Sequence, residues 1–155
     1  MKKALVLVCV FLAVLFLLKP SAQEKIIPEP PSKKEVPSFR KNLLDLHNKE
    51  RTGWGYSPLE MDDKLCEYAQ KHAEKMSREE RLNHSKMSDL QKVNDSNAVG
   101  ENIAWGQEDE ATAVSAWMWS PMHRWNILGS SYKKAGFGAS KDSEGRYYWC
   151  VVFSD

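Results

Sequence analysis

The sequence predicts an α+β domain, an α–β–α sandwich in which a small antiparallel sheet lies between two layers of helices. Apolar residues recur at helical spacing over three stretches between residues 38 and 119. The C-terminal segment YYWCVVF instead alternates like a strand, and both of its faces are apolar. Because a strand of this kind is usually covered on both sides, we place the sheet between helices.

Residues 1–22 have the features of a secretory leader. Lys2 and Lys3 precede 15 uninterrupted apolar residues at positions 4–18. As a helix, this run would be about 22 Å long, which is short of the roughly 30 Å hydrocarbon core of a membrane. We therefore predict a signal peptide, with a short uncleaved anchor as the alternative, and a domain that is secreted, on the outer face of the membrane or periplasmic.

Residues 23–37 are predicted to form a Pro-rich linker, and residues 38–155 the domain. Four of the 15 linker residues are Pro, and its three acids balance its three bases. Proline fixes an extended path and removes backbone donors, as in a spacer. The net charge of +1 argues against a nucleic-acid binder, and we expect membrane contact only through an uncleaved leader.

Three amphipathic helices are predicted in the first two thirds of the domain. The first begins with Ser38 as its N-cap and ends at Gly53. Asp62 caps the second helix, whose apolar residues include Cys66. Acidic residues 108–110 precede the third, where the helix dipole favours negative charge.

A short fourth helix and two strands complete the predicted domain. Ser120 and Pro121 have the pattern of an N-cap followed by the first helical residue. Residues 132–139 and 146–153 are predicted strands joined by a KDSEG turn. In the last strand we expect odd-numbered residues to face one helix layer and even-numbered residues the other.

Two cysteines, Cys66 and Cys150, remain once the leader with Cys9 is removed. In an oxidising compartment such a pair is a disulfide candidate. The alternative is two buried thiols that act as small hydrophobic residues. We favour the disulfide.

Two histidines and one carboxylate form the candidate functional site: His84, Glu101 and His123. Both histidines lie at predicted element ends, where folds place working residues, whereas His47 and His72 lie within helical runs. Two His and one carboxylate can bind zinc and leave a position open for water, or act as a general acid/base cluster. They can also simply hydrogen-bond loops into place, and their spacing leaves these alternatives open.

Residues 39–153 resemble the CAP superfamily, which includes the cysteine-rich secretory proteins, insect antigen 5 and plant pathogenesis-related proteins. The motifs that carry the resemblance are, in this order, NHS, GENIAWG, SPMHRWNIL, AGFG and YYWCVVF. The closer resemblance is to the compact bacterial-type branch, whose fold is the SCP-like domain. The resemblance implies an α–β–α sandwich, secretion, and a cleft with two His and two acidic residues.

The resemblance assigns His84 in NHS and His123 in HRWN to the cleft histidines, and Glu101 to the first cleft acid. The second acid of many eukaryotic members falls on Ser120, so the acidic pair is incomplete. The remaining His₂Glu set suits a metal, zinc, better than a proton relay, and we expect Ser120 to cap its helix. Further residues expected to line the cleft are Ser120, Asn102, Trp119, Trp125 and Asn126.

Three functions follow, of which we favour a secreted or surface-tethered binding module that holds a divalent cation in the cleft. Its partner would be an extracellular protein, peptide or lipid. The first alternative is a metal-assisted hydrolase that uses the same cleft, and the second is a purely structural interaction domain. We do not expect an enzyme, because no nucleophile motif accompanies the site.

Trp119 and Trp125 flank His123 and bear on all three functions. We favour a packing role for both, because a large aromatic side chain is most often buried. Exposure of both beside the cleft would instead favour a ligand surface. Trp117 fits the buried face of the third helix.

Overall fold

The computed structural model describes residues 37–155, so the predicted leader and all of the predicted linker except Pro37 lie outside the described residues. The described part contains five helices and four strands. In chain order they are α1 (Ser38–Gly53), β1 (Glu60–Met61), α2 (Asp63–Glu79), α3 (Met87–Asn94), β2 (Val99–Trp105), α4 (Glu110–Trp119), α5 (Pro121–Ile127), β3 (Lys134–Lys141) and β4 (Tyr147–Ser154).

The four strands form one mixed sheet in the order β1-β3-β4-β2. β4 pairs antiparallel with β3, as predicted, and also with β2, a strand that the sequence analysis did not predict. The two-residue β1 pairs parallel with β3 at the edge, so the sheet is mixed and not purely antiparallel. A parallel pair needs a long crossover connection, and the chain between β1 and β3 includes α2 to α5.

Helices cover both faces of the sheet, which confirms the predicted sandwich. Trp149, Val151 and Phe153 of β4 belong to a core cluster with buried residues of α1, α4 and α5. Tyr148, Cys150 and Val152 belong to a second cluster with buried residues of α2 and α3. The alternation of β4 is therefore as predicted.

Two glycines of β3 allow α2 to lie directly against the sheet. A Cβ at Gly136 would collide with the backbone of Leu65 and Cys66, and a Cβ at Gly138 would collide with the backbone of Ala69. The AGFG motif thus removes side chains where the helix and the strand meet, which fixes their spacing.

The predicted cap positions are correct for Asp62 and Ser120 and wrong for Ser38. Asp62 caps α2, where its carboxylate accepts from the backbone N–H groups of Lys64 and Leu65. Ser38 is the first helical residue, and Pro37 occupies the cap position of α1. Ser120 holds the cap position of α5 but makes no side-chain cap hydrogen bond, because its hydroxyl group is paired elsewhere.

The predicted disulfide is wrong: Cys66 and Cys150 are both free and buried. The Cys66 sulfur accepts from the Phe137 N–H at 3.4 Å and belongs to the first core cluster. Cys150 belongs to the second cluster. The two thiols therefore lie in different clusters of the core, and burial raises the pKa of each.

Candidate functional site

The carboxylate of Glu101 in β2 lies at the centre of the site, with its side chain only 3% exposed. Oε1 accepts from the Ser85 N–H at 2.9 Å and from His84 Nδ1 at 2.8 Å, and Oε2 accepts from the Ser85 hydroxyl at 2.6 Å. His72 Nε2 and the Cys150 sulfur lie 3.8 Å from Oε2. Both carboxylate oxygens are therefore occupied by donors from the loop that follows α2.

His84 is held on that loop with much of its ring in solvent. Its side chain is 58% exposed. Because an ionised carboxylate only accepts hydrogen bonds, Nδ1 carries the hydrogen toward Glu101. When the ring is neutral, Nε2 therefore has a free lone pair, which is the form that binds metals and other electrophiles.

His123 lies in α5 and is held by Ser120. Its Nδ1 is 2.9 Å from the Ser120 hydroxyl oxygen, so this hydroxyl pairs with the ring and not with the helix backbone. Burial, with a smaller contribution from the charge of His84, lowers the pKa of His123 below its usual value. This ring is therefore mainly neutral at pH 7, and the two imidazoles lie close enough for their charges to interact.

Two asparagine side chains attach α5 to β2 beneath the site. The Asn102 amide donates to the His123 carbonyl at 2.9 Å. The Asn126 amide donates to Asn102 Oδ1 at 2.9 Å and to the Glu101 carbonyl at 3.1 Å. Asn102 is fully buried, so it supports the site from beneath and does not line the cleft as predicted.

Three large side chains at the end of α4 and along α5 are largely exposed to solvent. Trp119, Met122 and Trp125 are 84%, 71% and 73% exposed. Met122 and Trp125 are three residues apart in α5, which places them on one face of that helix. The packing role expected for Trp119 and Trp125 is therefore wrong, whereas Trp117 is buried as predicted and donates to the Ile103 carbonyl at 3.1 Å.

The donor set available to a metal ion is narrower than the sequence predicted. Within residues 37–155, no group of three His, Cys, Asp or Glu side chains has the arrangement to hold a metal ion. Glu101 does not contribute because its oxygens already accept hydrogen bonds. The remaining donors are the imidazoles of His84 and His123, a ligand type that suits Zn²⁺. Zinc binding stays a prediction.

Sequence reasoning missed two residues that contact Glu101. Ser85 donates to both of its oxygens, and its signal was its position directly after the candidate His84. His72 has its Nε2 2.8 Å from the Asn83 carbonyl and is 9% exposed. The position of His72 beside the apolar stripe of α2 predicted packing, but it did not predict the contact with Glu101.

Comparison with known proteins supports the likeness drawn from the motifs. The cysteine-rich secretory protein (CAP) family profile matches residues 44–153. The uncharacterized protein YkwD of Bacillus subtilis is 30% identical over 126 residues, which cover 77% of this chain and 49% of YkwD. An outer surface protein from Borrelia burgdorferi shares the fold with a TM-score of 0.66 at 24% identity, over 74% of this chain and 90% of that protein. An extracellular SCP-domain protein from Bacillus anthracis has a TM-score of 0.64 at 22% identity, over 79% and 45% of the two chains.

The chain belongs to the cysteine-rich secretory protein (CAP) family. Proteins of this family are typically extracellular, and one relative, 38% identical over 79 residues, is a secreted protein of Candida albicans. The chain spans half or less of the length of the first curated relatives that it matches. In residues 37–155, none of the helices has the length and apolar character needed to cross a bilayer.

Proposed function

We propose that this chain is an extracellular binding domain, secreted or tethered to a surface, that presents His84 and His123 to a ligand. The observation that carries the proposal is the anchoring of both imidazoles through Nδ1, one by Glu101 and one by Ser120. Within the described residues, Nε2 of each ring has no protein partner. Two imidazoles fixed through Nδ1 would offer their Nε2 atoms to a ligand without first having to reorient.

The small ligand that best fits these donors is a divalent transition metal, zinc. His84 and His123 would hold it through Nε2, and the metal would supply a positive charge that attracts a partner's carboxylate or carbonyl. Glu101 would act as the outer carboxylate that fixes the orientation and tautomer of His84. Two protein ligands leave the other coordination positions to water or to the partner.

The exposed apolar side chains around α5 extend this site into a surface suited to a larger partner. Trp119, Met122 and Trp125, which lie before and after His123 in the sequence, expose most of their apolar area. Exposed apolar side chains grouped beside polar ones are typical of interaction sites. We therefore propose that the partner, an extracellular protein, peptide or lipid, contacts the imidazoles and these side chains together.

Hydrolysis is supported less well than binding. A metal-assisted hydrolase built on this cleft would need a general base in addition to the two imidazoles that hold the metal. Both oxygens of Glu101 are engaged with Ser85 and His84, so this carboxylate is a positioning group. Binding therefore remains the better account of the site.

Zinc calorimetry on the purified full chain tests the metal proposal. We expect wild-type protein to bind one Zn²⁺, and His84→Ala or His123→Ala to weaken binding at least tenfold. Glu101→Gln should weaken it about 10- to 100-fold by releasing His84. Binding should also weaken in acid once His123 protonates, and because burial lowers the pKa of His123, this loss should begin at a lower pH than for an ordinary imidazole.

Met122→Ala is the matched control, because Met122 lies one residue from His123, is exposed and offers no strong donor. It should leave zinc affinity unchanged. Circular dichroism melts of every variant separate lost ligation from lost folding. Equal zinc affinity of wild type and the folded His84→Ala/His123→Ala double variant would contradict the proposal.

A further inference from the structure

A second concave surface lies beyond Trp125, between α3, the start of β2 and the turn that follows α5. It has a volume of about 460 Å³, within the range of small-ligand sites. Trp125 and Met87 are part of its lining, and both are largely exposed. We refer to it as the Trp125 groove. Asn126 borders both the groove and the histidine site.

The lining of the Trp125 groove contains no charged side chain. This is unusual for the surface of a chain in which 28% of the residues are charged. An anionic ligand would find no cation among these residues, and a cationic ligand would find no carboxylate. The groove therefore favours a neutral ligand.

The polar groups of the groove are of two kinds. Asn126 and Tyr132 are committed to the protein, because the Asn126 amide donates to Glu101 and Asn102 and the Tyr132 hydroxyl donates to the Val99 carbonyl at 3.1 Å. The side chains of Asn126 and Tyr132 are therefore held in place and form one wall of the groove. The other polar side chains of the lining are exposed and have no protein hydrogen-bond partner within residues 37–155. These side chains are Gln91, Asn97, Ser130 and Ser131.

A wide indole beside unpaired amides and hydroxyls matches the chemistry of a sugar ring. The C–H face of a pyranose is apolar and weakly positive, so it packs against the negative face of an indole such as that of Trp125. Its hydroxyl groups can donate to and accept from amides and hydroxyls such as those of Gln91 and Ser130. A lipid chain would leave these polar groups unpaired, at a cost in free energy.

We propose that the Trp125 groove is a subsite for a neutral oligosaccharide. The inference goes beyond the proposed binding function by adding a ligand of another chemical class, and it rests on that function only for the extracellular setting. The sugar lies against Trp125 and hydrogen-bonds to the unpaired side chains opposite. It does not require a metal on His84 and His123, so the two proposals can fail separately.

Titration of the full chain with chitotetraose, cellotetraose and maltotetraose, followed by calorimetry and tryptophan fluorescence, tests the groove. We expect at least one of these sugars to bind. Trp125→Ala should weaken that binding at least tenfold, and Gln91→Ala about fivefold, the effect of one hydrogen bond. Zinc affinity measured on the same Trp125→Ala sample should stay within twofold of wild type.

Trp54→Ala is the matched control, because it removes another exposed indole, one that neither lines the groove nor belongs to the proposed partner surface. It should leave sugar affinity unchanged. Failure of folded wild-type protein to bind any of the three sugars at millimolar concentration would overturn the proposal, as would sugar binding that survives Trp125→Ala. Trp125-dependent binding of a peptide of residues 23–37 in place of the sugars would assign the groove to a Pro-rich segment and also overturn it.

Discussion

His47 is a histidine enclosed in the aromatic core with one ring nitrogen unpaired. Its side chain is fully buried, and its ring contacts those of Trp117, Phe137 and Phe153. Nδ1 pairs with the Leu43 carbonyl at 2.7 Å, whereas Nε2 has no partner. Burial lowers the pKa of His47 to about 4, so the ring is neutral in the folded protein at pH 7.

We predict that His47 destabilises the protein in acid. In the unfolded chain this ring binds a proton below about pH 6.5, whereas in the folded protein it does so only near pH 4. Stability should therefore fall between these values, by roughly 3 kcal/mol from this residue. His47→Leu should flatten much of the fall in urea unfolding measured from pH 7 to pH 4, and an unchanged slope would contradict the assignment. Some slope should remain because the pKa of His123 is also lowered.

Residue types in the site were readable from the sequence, but their partners were not. We selected His84, Glu101 and His123 from their sequence positions and motifs. In the folded protein, His84 Nδ1 lies 2.8 Å from Glu101 Oε1. Ser120 takes the predicted cap position before Pro121, but its hydroxyl pairs with the ring of His123 and not with the helix backbone, which the sequence did not predict. The partner of a polar side chain depends on the tertiary structure, and residue spacing alone does not predict that partner.

At the scale of elements, the contact of α2 with β3 depends on the absence of a side chain at Gly138. We predict that Gly138→Ala costs about 3 kcal/mol or more of the free energy of unfolding, because the new methyl group meets the Ala69 backbone, which has no rotamer by which to move away. Denaturant unfolding measures the loss.

Gly53→Ala is the control for this substitution, because a Cβ there meets no atom within 4 Å. At the end of α1, it should change stability by less than about 1 kcal/mol. Equal effects of the two substitutions would mean that generic backbone entropy, and not the close approach of helix and strand, explains the loss.

Elements with strong apolar periodicity were predictable, and those built around polar residues were not. The alternation of β4 and the stripe of α2 correctly placed the sandwich. β2 was missed because its segment VGENIAW directs the polar side chains of Glu101 and Asn102 into the interior, where a strand pattern has apolar ones. α3 was missed because Leu90 is its one buried residue, too little for a helical stripe.

At the scale of the whole molecule, one buried guanidinium joins α1 to two distant segments. Arg51 is 1% exposed and donates only to backbone carbonyls. They are those of Ser57 at 2.7 Å, Ile127 at 2.7 Å, Gly129 at 2.9 Å and Tyr132 at 3.2 Å. Because the turn at residues 129–132 also forms one side of the Trp125 groove, α1 positions the proposed sugar subsite from behind.

We predict that Arg51→Lys destabilises the protein by about 3 kcal/mol and also loosens the groove. A lysine ammonium is a point charge with three donors and cannot reproduce the planar fork that reaches four carbonyls on separate segments. Thermal unfolding should detect the first effect. Well below the unfolding temperature, sugar affinity should fall severalfold while zinc affinity changes less, because Ser120 and Glu101 still hold the imidazoles. An equal loss of both affinities would indicate that Arg51 supports the fold as a whole and has no particular role in the turn.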